Sequence, residues 1–154
     1  MTLCDRSTTL STNTRLINAP VEKVWDVLAD GWLYALFVVG ASRMRDVDDA
    51  WPAIGARLHH SVGVWPALID DSTSVLECTP QRMLKLRARA WPAGEAEVVF
   101  TLEARGSSTE LTIEEDAVAG PGVLVPKPVR DVQLRLRNTE TLQRLAYIAE
   151  GREV

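Results

Sequence analysis

Residues 82–116 read RMLKLRARAWPAGEAEVVFTLEARGSSTELTIEED. Leu84, Leu86, Ala88 and Ala90 alternate with Met83, Lys85, Arg87 and Arg89; past Pro92-Ala93-Gly94, Ala96, Val98, Phe100 and Leu102 alternate with Glu95, Glu97, Val99, Thr101 and Glu103. Successive side chains on a strand point to opposite faces, so this stretch predicts an antiparallel meander with one apolar and one charged face. With Pro92-Ala93-Gly94 as the turn, Ala90 is expected opposite Ala96 and Leu86 opposite Phe100 inside, and Arg89 opposite Glu97 outside. The next loop, over residues 105–108, sets Leu102 against Leu111 and Phe100 against Ile113. Upstream, a turn at Pro80-Gln81-Arg82 sets Cys78 opposite Leu84 and Leu76 opposite Leu86.

Working outward, the period of two and its turn signals extend over residues 41–119. Residues 8–18, Thr-rich with Leu10, Leu16 and Ile17, suit a first strand. Ala19-Pro20 then opens a helix: Pro is favoured at the first helical position, Glu22 meets the positive end of the dipole, and Val21, Val24, Trp25 and Leu28 share a face. Asp30-Gly31 breaks it, and an apolar segment from Trp32 to Val38 predicts a second short helix. After Gly120-Pro121-Gly122 and Pro126, residues 128–150 predict the longest helix, with Val132, Leu136, Leu142, Leu145, Ala146 and Ala149 on one side and Arg135, Arg137 and Arg144 elsewhere. Trp-Pro-Ala at 51, 65 and 91 reads as punctuation at strand ends.

Composition bounds the rest. The 154 residues are 46% hydrophobic and 25% charged, with nine Gly and eight Pro. A chain of this size buries roughly 69% of its unfolded surface, so one globular domain over 1–154 is expected, ordered from about 8 to 150. A formal charge of −4 opposes capture of nucleic acid or anionic lipid head groups. The first residues lack the apolar core of a secretory signal, which points to the cytoplasm, and the apolar run at 31–41 is too short to cross a bilayer. Cys4 and Cys78 are too few for a disulfide framework and are read as free thiols. No Gly-rich phosphate cradle and no nucleophile elbow occurs.

Strand, two short helices, long antiparallel meander and long final helix form an α+β helix-grip arrangement. The segment INAPVEKVWDVL at 17–28, the strand-turn-strand VLECTPQRML at 75–84 and RNTETL at 137–142 resemble the START-like (SRPBCC) superfamily, which includes birch-pollen-allergen-like and polyketide cyclase/dehydrase or lipid transport-like proteins. The resemblance covers most of the chain. It implies a curved sheet wrapped around the C-terminal helix, enclosing an apolar cavity for lipids, polyketides or steroid-like molecules, and in some members cyclisation or dehydration. No cofactor is called for.

The residues that could serve such a cavity follow from phase. His59 and His60 are consecutive on a strand and face opposite ways, so they cannot converge on one metal ion, and no metal site is expected. His60 shares its phase with Leu58, Val62 and Val64, which turns its imidazole inward. Glu115 follows Leu111 and Ile113 in period two and stands opposite Val98, a carboxylate on the apolar side that needs a partner, water or a raised pKa. Trp32, Tyr34 and Phe37 on the short apolar segment, with Trp65 and Trp91, suit a lining or mouth. Val62, Leu86, Phe100, Ile113 and Leu136 complete the expected ligand-binding wall. Cys78, in phase with Leu76, is expected to be inert because an apolar setting disfavours its thiolate. The arginines at 87, 89, 135, 137 and 144 are expected on solvated faces.

Two functions remain open on these residues: non-covalent binding or transport of a hydrophobic small molecule oriented by His60, Tyr34 and Glu115, or acid-base catalysis on a carbonyl compound. In the second, His60 or Glu115 moves the proton and Tyr34 steadies an enolate oxygen.

Overall fold

A computed structural model describes residues 11–39, 41–62, 66–90 and 94–151. Cys4, Leu10, Val64, Trp65 and Trp91 therefore lie outside the described residues, as does the side chain of Val62. Strand β1 (Ser11–Ile17) leads into helix α1 (Val21–Ala29), a 3-10 turn (Gly31–Leu33) and the short α2 (Tyr34–Phe37). Six strands follow: β2 (Ala41–Val47), β3 (Arg57–Val62), β4 (Ile69–Thr79), β5 (Met83–Ala90), β6 (Gly94–Arg105) and β7 (Ser108–Ala119). A 3-10 turn (Pro121–Leu124) and helix α3 (Lys127–Gly151) close the chain. The strands form one curved antiparallel sheet in the order β1-β7-β6-β5-β4-β3-β2, with the C-terminal strand docked on the N-terminal one. Among the described residues no helix is long and apolar enough to cross a membrane.

The apolar phase of the meander is as expected. Leu84, Leu86, Val98, Phe100, Leu111 and Ile113 are all buried and meet Val24, Val27 and Leu28 of α1 and Leu142, Leu145, Ala146 and Ala149 of α3 in one core. The β6/β7 register also matches, with Phe100 opposite Ile113 and Leu102 opposite Leu111. The β5/β6 register does not. Ala90 pairs with Gly94, Ala88 with Ala96, Leu86 with Val98 and Leu84 with Phe100, a slip of two from the expected pairing. Pro92 and Ala93 lie outside the described residues, and Gly94, expected in the turn, opens β6 instead: its φ is +127°, and a Cβ there would lie 2.1 Å from the Ala119 carbonyl oxygen on β7, so only glycine lets β7 approach this closely. In β4 a register irregularity between Val75 and Glu77 puts Val75, in place of Leu76, opposite Leu86, while Cys78 does face Leu84.

The ends of the helices also depart from expectation. Pro20 is the N-cap of α1, with extended backbone, in place of its first helical residue. Trp51-Pro52 lies in the turn between β2 and β3, and the Trp51 indole N–H donates to the Leu28 carbonyl at the end of α1. On α3 the expected apolar face fails in its first half: Val132 is 58% and Leu136 70% exposed. That half of the helix is held to β1 by polar contacts, Ser11 Oγ to the Asp131 carbonyl and Asn13 Nδ2 to the Arg135 carbonyl and Thr139 Oγ1. The second half carries the buried stripe, and Glu150 accepts from the Asn18 amide to close the helix against the end of β1.

Candidate functional site

Between the inner sheet face and the middle of α3 lies a half-open cavity of about 100 Å³. Its walls are Ala88, Val98, Phe100 and Ile113 from β5 to β7, Val38, Val39 and Ala41 from the segment after α2, and Thr141 from α3. Its polar groups are Tyr34 of α2, His60 of β3, Arg89 of β5, Glu115 of β7 and Arg137 and Asn138 of α3. Sequence-distant elements thus meet because the meander's inward phase and one edge of the α3 stripe face each other across the same gap.

Two side chains at one end are linked through a threonine. His60 Nε2 lies 2.8 Å from Thr73 Oγ1, and the Tyr34 hydroxyl 3.3 Å from the same atom. The Tyr34 and His60 rings stack at 5.7 Å with 23° between planes, and Phe37 meets Tyr34 edge-on at 5.8 Å. Burial pulls the His60 imidazolium below its ordinary pKa; the positive charge of Arg45 and His59 adds to this and Asp71 opposes it. The neutral ring has one N–H and one bare nitrogen. With Nε2 engaged by Thr73, the second nitrogen, Nδ1, is buried and meets no protein partner. Burial pushes the Tyr34 phenol up, with help from the Glu115 charge and against the Thr73 hydrogen bond, so it keeps its proton and serves as a donor or acceptor but not as an anion. His59, on the other face, pairs with Asp48 at 3.0 Å. Among the described residues no group of three or more His, Cys, Asp or Glu converges as a metal site.

The other end is charged. Arg137 Nη2 donates to Glu115 Oε1, and while the Glu115 side chain is only 5% exposed, the Arg137 side chain is 39% exposed at the mouth. The buried carboxylate is therefore satisfied by an arginine placed on a solvated face in the sequence reading; that expectation is corrected for Arg137. Beside it, Asn138 is 1% exposed and its Nδ2 meets no protein partner. Arg89, also at the mouth, is matched by Glu95 at 3.2 Å and Asp71 at 3.6 Å.

Of the sequence candidates, Tyr34, His60, Phe100, Ile113 and Glu115 line this cavity. Phe37 and Leu86 do not; both are buried behind its wall, Leu86 among strand neighbours and Phe37 against Tyr34. Trp32 is 55% exposed and lies in a separate surface cleft, since its position in the 3-10 turn, capped by Asp30, turns the indole away from the sheet. Leu136 faces solvent. Helical geometry gives the reason: at about 100° per residue Leu136 stands about 120° from Leu142, whereas Asn138 stands about 40° from it. Projecting the Leu142, Leu145 and Ala149 stripe backwards finds Asn138 and Thr141, with Arg137 one turn before Thr141. Thr73 was not legible in this way: the irregularity between Val75 and Glu77 takes this half of β4 out of the Leu76 and Cys78 phase expected inward and buries Thr73 with Val75. Cys78 is partly buried and its thiol is pushed up by that burial.

An antiparallel sheet closed on a C-terminal helix, with a cavity between them, defines a helix-grip protein of the START-like type. Residues 18–123 match the model of the family described as Activator of Hsp90 ATPase homolog 1-like protein, and the chain belongs to that family. The match ends before α3, so Arg137, Asn138 and Thr141 lie beyond it. Among curated protein sequences none matches. Solved structures with this fold include protein NE0264 from Nitrosomonas europaea, 20% identical, covering 91% of this chain and 93% of that one with a TM-score of 0.70. Ara h 8.0201 is 9% identical over 92% of this chain and 97% of its own, also at 0.70. DynU16, a protein of the dynemicin biosynthetic locus, is 23% identical, at a TM-score of 0.60, over 92% of this chain but only 47% of its own length.

Proposed function

We propose that this chain binds a small, largely apolar organic molecule non-covalently in the cavity beneath α3, acting as a single START-like domain. The observation that carries this reading is the cavity itself: half-open, walled largely by apolar side chains, and lined by His60 and Asn138, each with a polar atom that no protein group satisfies. Its size sharpens the sequence expectation. Pockets that enclose a drug-sized ligand run to roughly 300–1,000 Å³, against about 100 Å³ here. A lipid, polyketide or steroid-like molecule would therefore insert one end and leave its remainder in the mouth, among Val38, Val39 and Arg137.

A second reading, acid-base catalysis on a carbonyl compound, is favoured by the unpartnered Nδ1 of neutral His60, a base poised at the cavity. Glu115, engaged by Arg137, is the weaker candidate for that role. One experiment addresses both. Thermal unfolding with and without saturating toluene is expected to show a rise in Tm for the wild-type chain and none for Val98→Trp, whose indole fills the space. No rise in the wild type removes the binding reading. Deuterium uptake beside the carbonyl of cyclopentanone in D2O, lost in His60→Ala, supports the catalytic reading; uptake equal in the two chains removes it.

A further inference from the structure

Resting on that binding reading, we infer that the ligand's inserted end is a neutral carbonyl group, its oxygen accepting from Asn138 Nδ2. The observation behind it is Asn138, 1% exposed and buried on the cavity wall with its Nδ2, a hydrogen-bond donor, unpartnered. Buried polar groups normally find a partner, because leaving one unmade costs more than the bond itself contributes. An amide nitrogen in this setting requires an acceptor, and a carbonyl oxygen on an otherwise apolar body is the smallest group that supplies one within about 100 Å³.

Charge decides against an ionised head. The arginines at the cavity are already engaged by carboxylates, Arg137 by Glu115 within it and Arg89 by Glu95 and Asp71 at the rim. A carboxylate entering would lie beside Glu115 with no unmatched cation to receive it, and an ammonium would lie beside Arg137 in the same way; either would be desolvated without compensation. A ketone, ester or amide carries no such cost and meets Asn138 directly.

The probes are cyclopentanone, its near-isosteric hydrocarbon methylenecyclopentane, and cyclopentanecarboxylate, each titrated into the full chain and followed by 1H–15N NMR. The side-chain amide resonances of Asn138 are expected to shift with cyclopentanone and to move little with the hydrocarbon. In Asn138→Leu, which keeps the volume and removes the donor, the ratio of ketone to hydrocarbon affinity is expected to fall on the order of fivefold. An unchanged ratio, or Asn138 resonances that move no more with the ketone than with the hydrocarbon, overturns this inference while hydrocarbon binding keeps the cavity reading standing. Carboxylate binding as tight as the ketone's overturns the neutral head. If none of the three binds, both the inference and the binding reading fall. The wild-type resonances decide the matter even if Asn138→Leu does not fold.

Discussion

His59 and His60 are adjacent on β3, and the pleat sends them into different chemistry: the first to a half-exposed contact with Asp48, the second to a buried stack on Tyr34. That divergence was legible from period two alone, as was the inward turn of Glu115. What each buried group would find was not legible, because Thr73, Arg137 and Asn138 reach the site from β4 and α3 and no local spacing announces a contact across the core. The burial of His60 has a thermodynamic consequence. Its folded pKa lies below the ordinary 6.5, so protons bind the unfolded chain more readily and acid favours unfolding. The stabilising contribution of the neutral ring is whole above 6.5 and is lost as pH falls through the lower folded value. The groups that set it are Asp71 on β4, which opposes the shift, and Arg45 on β2 and His59 on β3, which add to it. Urea unfolding of the wild type and of His60→Gln at about pH 7.5 and about pH 5.5 is expected to show the wild type losing stability relative to the variant, by at most about 1.4 kcal/mol per pH unit. Parallel losses would mean that the imidazole is not held neutral.

Among the elements, the strands of the meander show why faces are easier to read than partners. A slip of two residues leaves every side chain on the same face, so apolar alternation cannot distinguish the expected Leu86–Phe100 pairing from the observed Leu86–Val98. The observed ladder already includes Gly94, paired with Ala90, a residue the expected register left in the turn. The outer face records the same register: Arg87 lies opposite Glu97 and contacts both it, at 3.8 Å, and Glu95, at 2.9 Å. A double-mutant cycle between Arg87→Ala and Glu97→Ala is expected to give a coupling of roughly 0.2–1 kcal/mol, the range of exposed cross-strand ion pairs, and a cycle between Arg89→Ala and Glu97→Ala close to zero. Larger coupling in the second cycle would restore the register expected from the turn at Pro92-Ala93-Gly94. Helix α3 failed in the opposite way. Its apolar residues continue through Val132 and Leu136, but the strand beneath that half, β1, presents Ser11 and Asn13, so polar contacts and not apolar burial hold it.

For the whole molecule, the balance between a filled core and a hollow one governs function. Fully buried Phe37, Leu58, Leu84, Leu86 and Leu142 pack the space between sheet and helices, and two of them, Phe37 and Leu86, were expected at the ligand but lie outside the cavity lining. The hollow survives only where small side chains, Ala41 and Ala88, face the polar stretch of α3 from Arg137 to Thr141. Composition reports the number of such residues but not their coincidence in space. Ile113 sits at the boundary: 2% exposed, it packs opposite Phe100 and also lines the cavity. Truncating it serves two ends at once. Ile113→Ala is expected to lose about 2–4 kcal/mol in urea unfolding, through lost burial and an enlarged void. The added volume is continuous with an apolar cavity, and apolar voids remain dry and take up apolar guests. Saturating toluene should then stabilise the variant more than the wild type, recovering about 2.7 kcal/mol when present at roughly a hundred times its Kd. A toluene increment no greater than that of the wild type would show that Ile113 packs the core without bounding the ligand's space, and would move the apolar end of the site toward Val38 and Val39.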